Sequence, residues 1–324
     1  MLPLIRFCAA LLALSLAGCS GSGQMAPGTT VGTPVPGGLE YQREVSVRGD
    51  DHSYLLFVPT AQIGRSDLPL VVSLHGGGGN AREHDLFTRM RIKAATAGFV
   101  LLTPNGYRGT WNAGSCCAPA QTADIDHSAV IRAMLDDAER LVSVDDTRVF
   151  ALGHSNGGMM AYRLACELSD RIAAIAANSA VMMDRDLDTT PPTQVFSCQP
   201  TRPVPILHLH GLADTCVPFA GGPSTGPAGG ERPPVSDSID FWVANNRCTL
   251  PPLLPTHVNG DARCETYTGC QDRAVVELCT VDGAGHVWPG TGANPSGETC
   301  GGSGTTDLDA NDVIWAFFVD HPLS

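Results

Sequence analysis

The sequence has little charge, and little of that charge is positive. Of 324 residues, 16% are charged, and 20 basic residues are outnumbered by 33 acidic ones, which gives a formal net charge of −13. Lysine is almost absent, because Lys93 is the only one. A protein with this balance is repelled by phosphates and gains nothing from counterion release. We therefore expect no nucleic-acid partner and no direct binding to an anionic membrane surface.

Long apolar runs are also scarce, and the clearest one, residues 7–16, is too short to cross roughly 30 Å of hydrocarbon as a helix. It follows Arg6, as in a secretion signal. The sequence LAGC that ends at Cys19 resembles the lipobox of bacterial lipoproteins, in which the cysteine is acylated. We expect residues 1–18 to be a lipoprotein signal peptide, 19–40 a flexible tether and 41–324 an exported domain held at a membrane only through a lipid on Cys19. The alternative is an ordinary signal peptide cleaved nearby.

No two cysteines have the CxxC spacing of zinc and redox sites. Without Cys8 and Cys19, the 12 cysteines leave ten in the domain, an even number that suggests disulfides in an exported chain. We expect the neighbours Cys116 and Cys117 to bond to two separate partners, because a bridge between adjacent residues strains the peptide. A domain of this length buries about three quarters of its unfolded surface. We therefore expect a monomer that needs no metal or cofactor.

Short apolar runs alternate with stretches of helical periodicity, which predicts an α/β fold with a mostly parallel central sheet and helices on both faces. In such sheets ligands bind at the carboxyl ends of the strands. The predicted strands are 54–59, 70–75, 99–103, 148–152, 172–177, 204–210 and 275–280. The predicted helices are 84–97, 126–142, 157–169, 235–247 and 309–320.

One strand is followed by the pattern of a nucleophile elbow, Gly153-His154-Ser155-Asn156-Gly157, and then by a helical segment. The turn from strand to helix is so tight that only glycine fits beside the serine, which is left exposed at the helix N-terminus. A second match, residues 222–226, has no strand before it and no helix after it. We therefore take Ser155 as the candidate nucleophile and His154 as a spacer of the elbow near the pocket.

A serine nucleophile needs a base, and the base needs an orienting carboxylate. Asp214 follows the strand 204–210, and His286 follows the strand 275–280. The order Ser155, Asp214, His286 is that of α/β-hydrolases. Asp282 is a rival acid, and the alternative base is His208 or His210. These last two project to one face of a strand, so either a metal site with Asp214 or ordinary packing explains them.

The oxyanion formed by serine attack requires preorganised N–H donors. One is the backbone N–H of Asn156, directly after the nucleophile. The other is expected in the glycine run that follows the strand 70–75, and we favour Gly77 over a plain flexible turn. A phosphate-binding loop is excluded, because no Lys-Ser/Thr follows these glycines.

Seven ordered segments make the chain resemble the esterase family of poly(3-hydroxybutyrate) depolymerases and feruloyl esterases between about residues 41 and 321. The segments are LHGGGGNA, WNAGSCCAPA with ADIDHSAVIRAML, GHSNGGMMAYRLACE, HLHGLADTCVPFAGG, FWVANNRC, GAGHVWPG and VIWAFF. The resemblance implies an α/β-hydrolase with the triad above. It also implies that Trp111, Asn112 and Trp288 lie near the substrate pocket.

The leading hypothesis is a secreted serine esterase that acts on hydroxyalkanoate, feruloyl or acetyl esters. Two departures from the family matter. The sequence ends at Ser324, soon after the last predicted helix, so we expect no polymer-binding domain and weak binding to a solid polyester. It also has Asp126-His127 where family members often have Asp-Asp. The alternatives are a serine peptidase of the same fold and a catalytically silent binding lipoprotein.

Overall fold

The computed structural model describes residues 32–291 and 300–323 of the chain. The predicted signal peptide, Cys19 and the first part of the predicted tether lie outside the described residues. Residues 33–40 include the first strand of the sheet and the start of the second. The folded domain therefore begins before residue 41, earlier than predicted. These residues belong to the fold because they pair in antiparallel register with one another and with residues 50–59.

Within the described residues, eleven strands form one sheet, and two short ribbons lie outside it. The sheet strands are β1 Thr33–Val35, β2 Gly38–Val47, β3 Asp50–Pro59, β4 Leu68–Leu74, β5 Val100–Pro104, β6 Val144–His154, β7 Ala174–Asn178, β10 Ile206–Gly211, β13 Leu253–Asn259, β14 Ala262–Tyr267 and β15 Val276–Val281. The ribbons pair β8 Arg185–Asp186 with β9 Thr193–Gln194, and β11 Gly222–Pro223 with β12 Glu231–Arg232. The helices are α1 Ala81–Thr88, α2 Met90–Ala97, α3 His127–Ala138, α4 Asn156–Glu167, α5 Val235–Asn245 and α6 Ala310–Asp320.

The centre of the sheet is parallel, in the order β5, β4, β6, β7, β10, β15. Antiparallel strands extend it on both sides, β3, β2 and β1 beyond β5 and β14 and β13 beyond β15. Each predicted strand overlaps a strand of this sheet. The predicted α/β class with a mostly parallel sheet is therefore confirmed.

Helices cover both faces of the sheet, as expected for buried parallel strands. On β4, alternate side chains enter opposite cores: Leu70 and Val72 belong to the core that includes buried residues of α3, α4 and α5, whereas Val71 belongs to the core that includes those of α2 and α6. The predicted helix 84–97 is two helices, because Arg89 adopts a left-handed conformation with φ 56° between α1 and α2. Among the described residues, no helix is long and apolar enough to cross a membrane.

All ten cysteines of the domain are paired. The bridges are Cys116–Cys117, Cys166–Cys198, Cys216–Cys300, Cys248–Cys270 and Cys264–Cys279. The expectation that Cys116 and Cys117 bond to separate partners is wrong, because the other eight cysteines pair among themselves. One bridge, Cys216–Cys300, joins the segment after β10 to the segment after β15.

Candidate active site

Ser155 stands at a sharp turn between β6 and α4, with φ 55° and ψ −126°. A positive φ is strained for serine and persists only where the surroundings enforce it. Here they do, because a Cβ on Gly153 would lie 2.2 Å from the backbone of Gly157, and one on Gly157 would lie 2.2 Å from the carbonyl oxygen of Leu74. The two glycines thus let the helix start directly behind the serine, as the elbow motif predicts.

Asp214 and His286 meet at the carboxyl ends of the neighbouring parallel strands β10 and β15. The Nδ1 atom of His286 lies 2.7 Å from Oδ2 of Asp214, whose side chain is fully buried. The other carboxylate oxygen, Oδ1, accepts the backbone N–H groups of Cys216 and Val217, each at 2.8 Å. The carboxylate is therefore held in one orientation and faces the imidazole with one oxygen.

The rival residues are placed differently. Asp282 is exposed, and its Oδ1 accepts the N–H of the next residue, Gly283. His208 and His210 are buried, and all four of their ring nitrogens have hydrogen-bond partners, which leaves no lone pair for a metal. Within residues 32–291 and 300–323, the one group with metal-ligand geometry is Cys264, Glu277 and Cys279, and its cysteines form a disulfide.

A residue that the sequence analysis missed, Asn178 at the end of β7, connects the elbow to the histidine loop. Its carbonyl oxygen accepts the N–H of Ser155 at 2.9 Å, and its side-chain Nδ2 donates to the carbonyl of Val287 at 2.8 Å. Nδ2 also lies 2.7 Å from Nδ1 of His154. The sequence offered one indication of this role: Asn178 directly follows the predicted strand 172–177, and functional residues of such sheets occur at strand ends.

The ring of His154, the residue directly before the candidate nucleophile, packs beside the ring of the candidate base. Its centroid is 4.6 Å from that of His286, and the half-buried Phe87 packs edge-on against it at 5.2 Å. Burial, and then the neighbouring His286, lower the pKa of His154 well below its usual range. Because Nδ1 accepts from Asn178, the neutral ring carries its proton on Nε2. No hydrogen bond joins Ser155 Oγ to His286 among the described residues, and such bonds often tighten only when substrate is bound.

The glycine run after β4 lies against the elbow, as an oxyanion loop requires. A Cβ on Gly76 would be 3.5 Å from Cβ of Ser155, and one on Gly77 would be 3.7 Å from Cβ of Asn156. Gly78 and Gly79 donate to backbone carbonyls, whereas the N–H of Gly77 has no acceptor among the described residues. The N–H of Asn156 belongs to the first turn of α4 and so has no acceptor within that helix.

The side chain of Asn156 holds this loop through Trp111. Its Oδ1 accepts the N–H of Trp111 at 2.8 Å, and its Nδ2 donates to the carbonyl of the same residue at 3.1 Å. The indole of Trp111 in turn donates to the carbonyl of His75 at 2.8 Å. One buried side chain therefore sets the position of the elbow relative to the glycine run.

The residues expected near the substrate are buried. Trp111 and Trp288 are 0% and 1% exposed, and the Trp288 indole donates to Asn311 in α6. The buried Asn112 donates to the carbonyl of Ile125. Of the four residues expected to bind substrate, His154 lies beside the base. All four are buried, His154 included at 7% exposure, and have little surface left for a ligand.

Replacing Asn178 with alanine is expected to lower kcat about 10- to 100-fold, because the elbow and the histidine loop lose their connection and a displacement of about 1 Å has effects of this size. A matched control is Asn246→Ala. Asn246 is equally buried and brackets Val204 with two hydrogen bonds at 3.0 and 2.7 Å, away from the candidate site. Unfolding and ester hydrolysis should be measured for both. Equal kcat losses would show that Asn178 acts through stability alone.

Comparison with known proteins supports this interpretation. The family model described as BD-FAE matches residues 56–202, a range that contains Gly77, Asn156 and Ser155. A putative esterase, NocK, from Nocardia uniformis subsp. tsuyamanensis is 31% identical over 275 residues, which cover 79% of this chain and 76% of the relative. The chain belongs to the BD-FAE esterase family.

Other relatives of this esterase show how far the likeness extends. Feruloyl esterase B from Piromyces equi is 30% identical over 235 residues, which cover 71% of this chain but only 41% of that protein. The acetyl xylan esterase from Aspergillus awamori has a TM-score of 0.54 at 16% identity, covering 76% of this chain and 94% of its own. The feruloyl esterase module from Clostridium thermocellum has a TM-score of 0.52 at 11% identity, with 79% and 85% covered. At these identities the two structures show the α/β-hydrolase fold alone.

Proposed function

We propose that Ser155, Asp214 and His286 form the catalytic triad of this esterase. Family membership makes the protein a carboxylic ester hydrolase of the feruloyl and acetylxylan esterase type. The observation that carries the triad is the 2.7 Å contact between His286 and Asp214, at the sheet edge where the strained Ser155 also stands. Acyl transfer needs a nucleophile, a base and an orienting acid, and this contact supports His286 and Asp214 as the last two.

In the proposed reaction, Ser155 Oγ attacks the ester carbonyl while Nε2 of His286 takes its proton. Asp214 stabilises the imidazolium that forms, and the same proton then goes to the departing alcohol. Water repeats the sequence on the acyl-enzyme and releases the acid. The N–H groups of Gly77 and Asn156 stabilise the oxyanion in both steps, because neither has another acceptor among the described residues and Gly77 lies against the elbow.

The rings beside the triad favour an aromatic acyl group. The half-buried ring of Phe87 packs on His154, whose ring lies beside His286, and a hydroxycinnamoyl ring is able to pack on the accessible part of Phe87. An aromatic pair is worth about 0.5–1.5 kcal/mol beyond its buried area. Feruloyl esters are therefore the proposed substrate class, ahead of acetyl and hydroxyalkanoate esters.

The test compares kcat/KM on methyl ferulate, p-nitrophenyl acetate and a 3-hydroxybutyrate trimer. We expect kcat/KM on methyl ferulate to exceed kcat/KM on the trimer by about tenfold, the upper end of the gain from one aromatic contact. Phe87→Ala should remove this preference, whereas Phe241→Ala, which removes a half-buried ring packed on Trp242, should not. A preference for the trimer would assign the protein to the polyester-hydrolysing branch. Absence of labelling by a fluorophosphonate would favour the silent binding protein.

We also propose that the enzyme is exported. The five disulfides that pair all ten cysteines of the domain support an oxidising compartment. We further propose that the enzyme is a monomer and that a lipid on Cys19 attaches it to a membrane.

A further inference from the structure

A chain of buried hydrogen bonds runs from the helix of the nucleophile to the loop of the acid. The hydroxyl of Tyr162, in α4, is 2.7 Å from Nδ1 of His208. Nε2 of His208 is 3.0 Å from Nδ1 of His210, and Nε2 of His210 is 2.8 Å from the carbonyl oxygen of Val217. All four residues are buried, and neither metal binding nor the triad accounts for the two histidines.

The acceptor at the end of this chain of hydrogen bonds determines the direction of every hydrogen bond in it. The Val217 carbonyl can only accept, so His210 must carry its proton on Nε2 and accept on Nδ1. His208 must then donate from Nε2 and accept on Nδ1, and the donor to Nδ1 is the hydroxyl of Tyr162. Both imidazoles are neutral in this assignment, and burial lowers the pKa of each below its usual range.

The chain ends at the residue that also orients Asp214. The N–H of Val217 donates to Oδ1 of Asp214, and the carbonyl of Val217 accepts from His210. His210 itself is 3.7 Å from Oδ2 of Asp214, too far for a hydrogen bond. Because its proton is directed to Val217, His210 does not compete with His286 for Oδ2.

We propose that Tyr162, His208 and His210 are positioning residues that hold the Val217 turn in place and leave one oxygen of Asp214 to His286. The helix that begins behind the nucleophile thus also determines the position of the acid. This inference rests on the proposed triad. It gives His208 and His210, the two histidines of the sequence HLHG, a role beyond packing.

The first test compares His210→Phe with His210→Gln. Phenylalanine keeps a ring that is able to stack on His208 but cannot donate to Val217, whereas glutamine restores an N–H donor near the position of Nε2. We expect kcat to fall about 10- to 100-fold in His210→Phe, as for a misplaced catalytic group, and to recover most of that loss in His210→Gln. KM should change less than about threefold, because the ester-binding surface is untouched.

A second comparison keeps the inference testable if the His210 variants do not fold. Tyr162→Phe removes a single oxygen from the start of the chain, and Tyr54→Phe is its control. Tyr54 is equally buried and donates to Asp137 at 2.7 Å, on the β3 side of the sheet. We expect kcat to fall about three- to tenfold in Tyr162→Phe, the scale of one hydrogen bond, and to stay unchanged in Tyr54→Phe, although both lose stability.

The Nδ1 proton of His286 gives a readout that does not depend on turnover. Its low-field NMR resonance in the free enzyme should shift or broaden in Tyr162→Phe and His210→Phe and remain in place in Tyr54→Phe. Unchanged kcat and an unchanged resonance in Tyr162→Phe and in every His210 variant that folds would overturn the inference while leaving the triad intact. Ester hydrolysis that survives in the Ser155→Ala variant would instead contradict the proposed function.

Discussion

Ser155→Ala is expected to reduce kcat/KM for ester hydrolysis by about 10⁴- to 10⁶-fold, the range found when a triad nucleophile is removed. The oxygen that forms the acyl bond is lost, and no neighbouring side chain replaces it, because His154 and Asn156 have their side chains committed to Asn178 and Trp111. The fold should be retained. Alanine occupies the same left-handed backbone as serine at similar cost, and the backbone bond to Asn178 does not involve the side chain.

The second Gly-x-Ser-x-Gly match provides the control for this experiment. Ser224 lies between the strands of the β11–β12 ribbon and donates to the carbonyl of Cys216 rather than facing a histidine. A fluorophosphonate should label the wild type and Ser224→Ala to one equivalent, and Ser155→Ala not at all. Labelling of Ser155→Ala at the wild-type level would refute the assignment of the nucleophile.

The parallel strands were predictable because they are buried on both faces and appear as continuous apolar runs. The strand β4, with all seven residues buried, is the clearest case. The antiparallel strands β2 and β14 were missed because one face of each is more exposed, so polar residues interrupt the pattern. The division of the predicted helix 84–97 depends on one residue, Arg89, whose left-handed backbone no local pattern specifies.

The candidate site, like the fold, was predictable from the sequence only in part. Ser155, Asp214 and His286 follow strands, and fold rules bring strand ends together, so their proximity could be inferred from the sequence. The roles of Asn178 and of the Asn156 side chain depend on contacts between residues far apart in the chain, such as that of Asn178 with Val287. Local sequence does not specify such contacts.

Asp214→Asn is expected to lower kcat about 10⁴-fold while leaving the fold intact, the loss seen when the acid of a triad is replaced by its amide. The surroundings of Asp214 dictate the orientation of the new amide. Two backbone N–H groups, those of Cys216 and Val217, point at the Oδ1 position, so the amide oxygen must stay there. The NH₂ group must therefore face His286.

That orientation changes the tautomer of the base. An amide donor facing Nδ1 of His286 requires Nδ1 to accept, so the imidazole proton moves to Nε2, the atom that must take the proton of Ser155. The base is then blocked even though every heavy atom keeps its place. Asp282→Asn removes the rival carboxylate, which is exposed and only four residues before His286, and should keep wild-type kcat. Equal losses in the two variants, measured alongside their unfolding free energies, would show that Asp214 has no special part in the reaction.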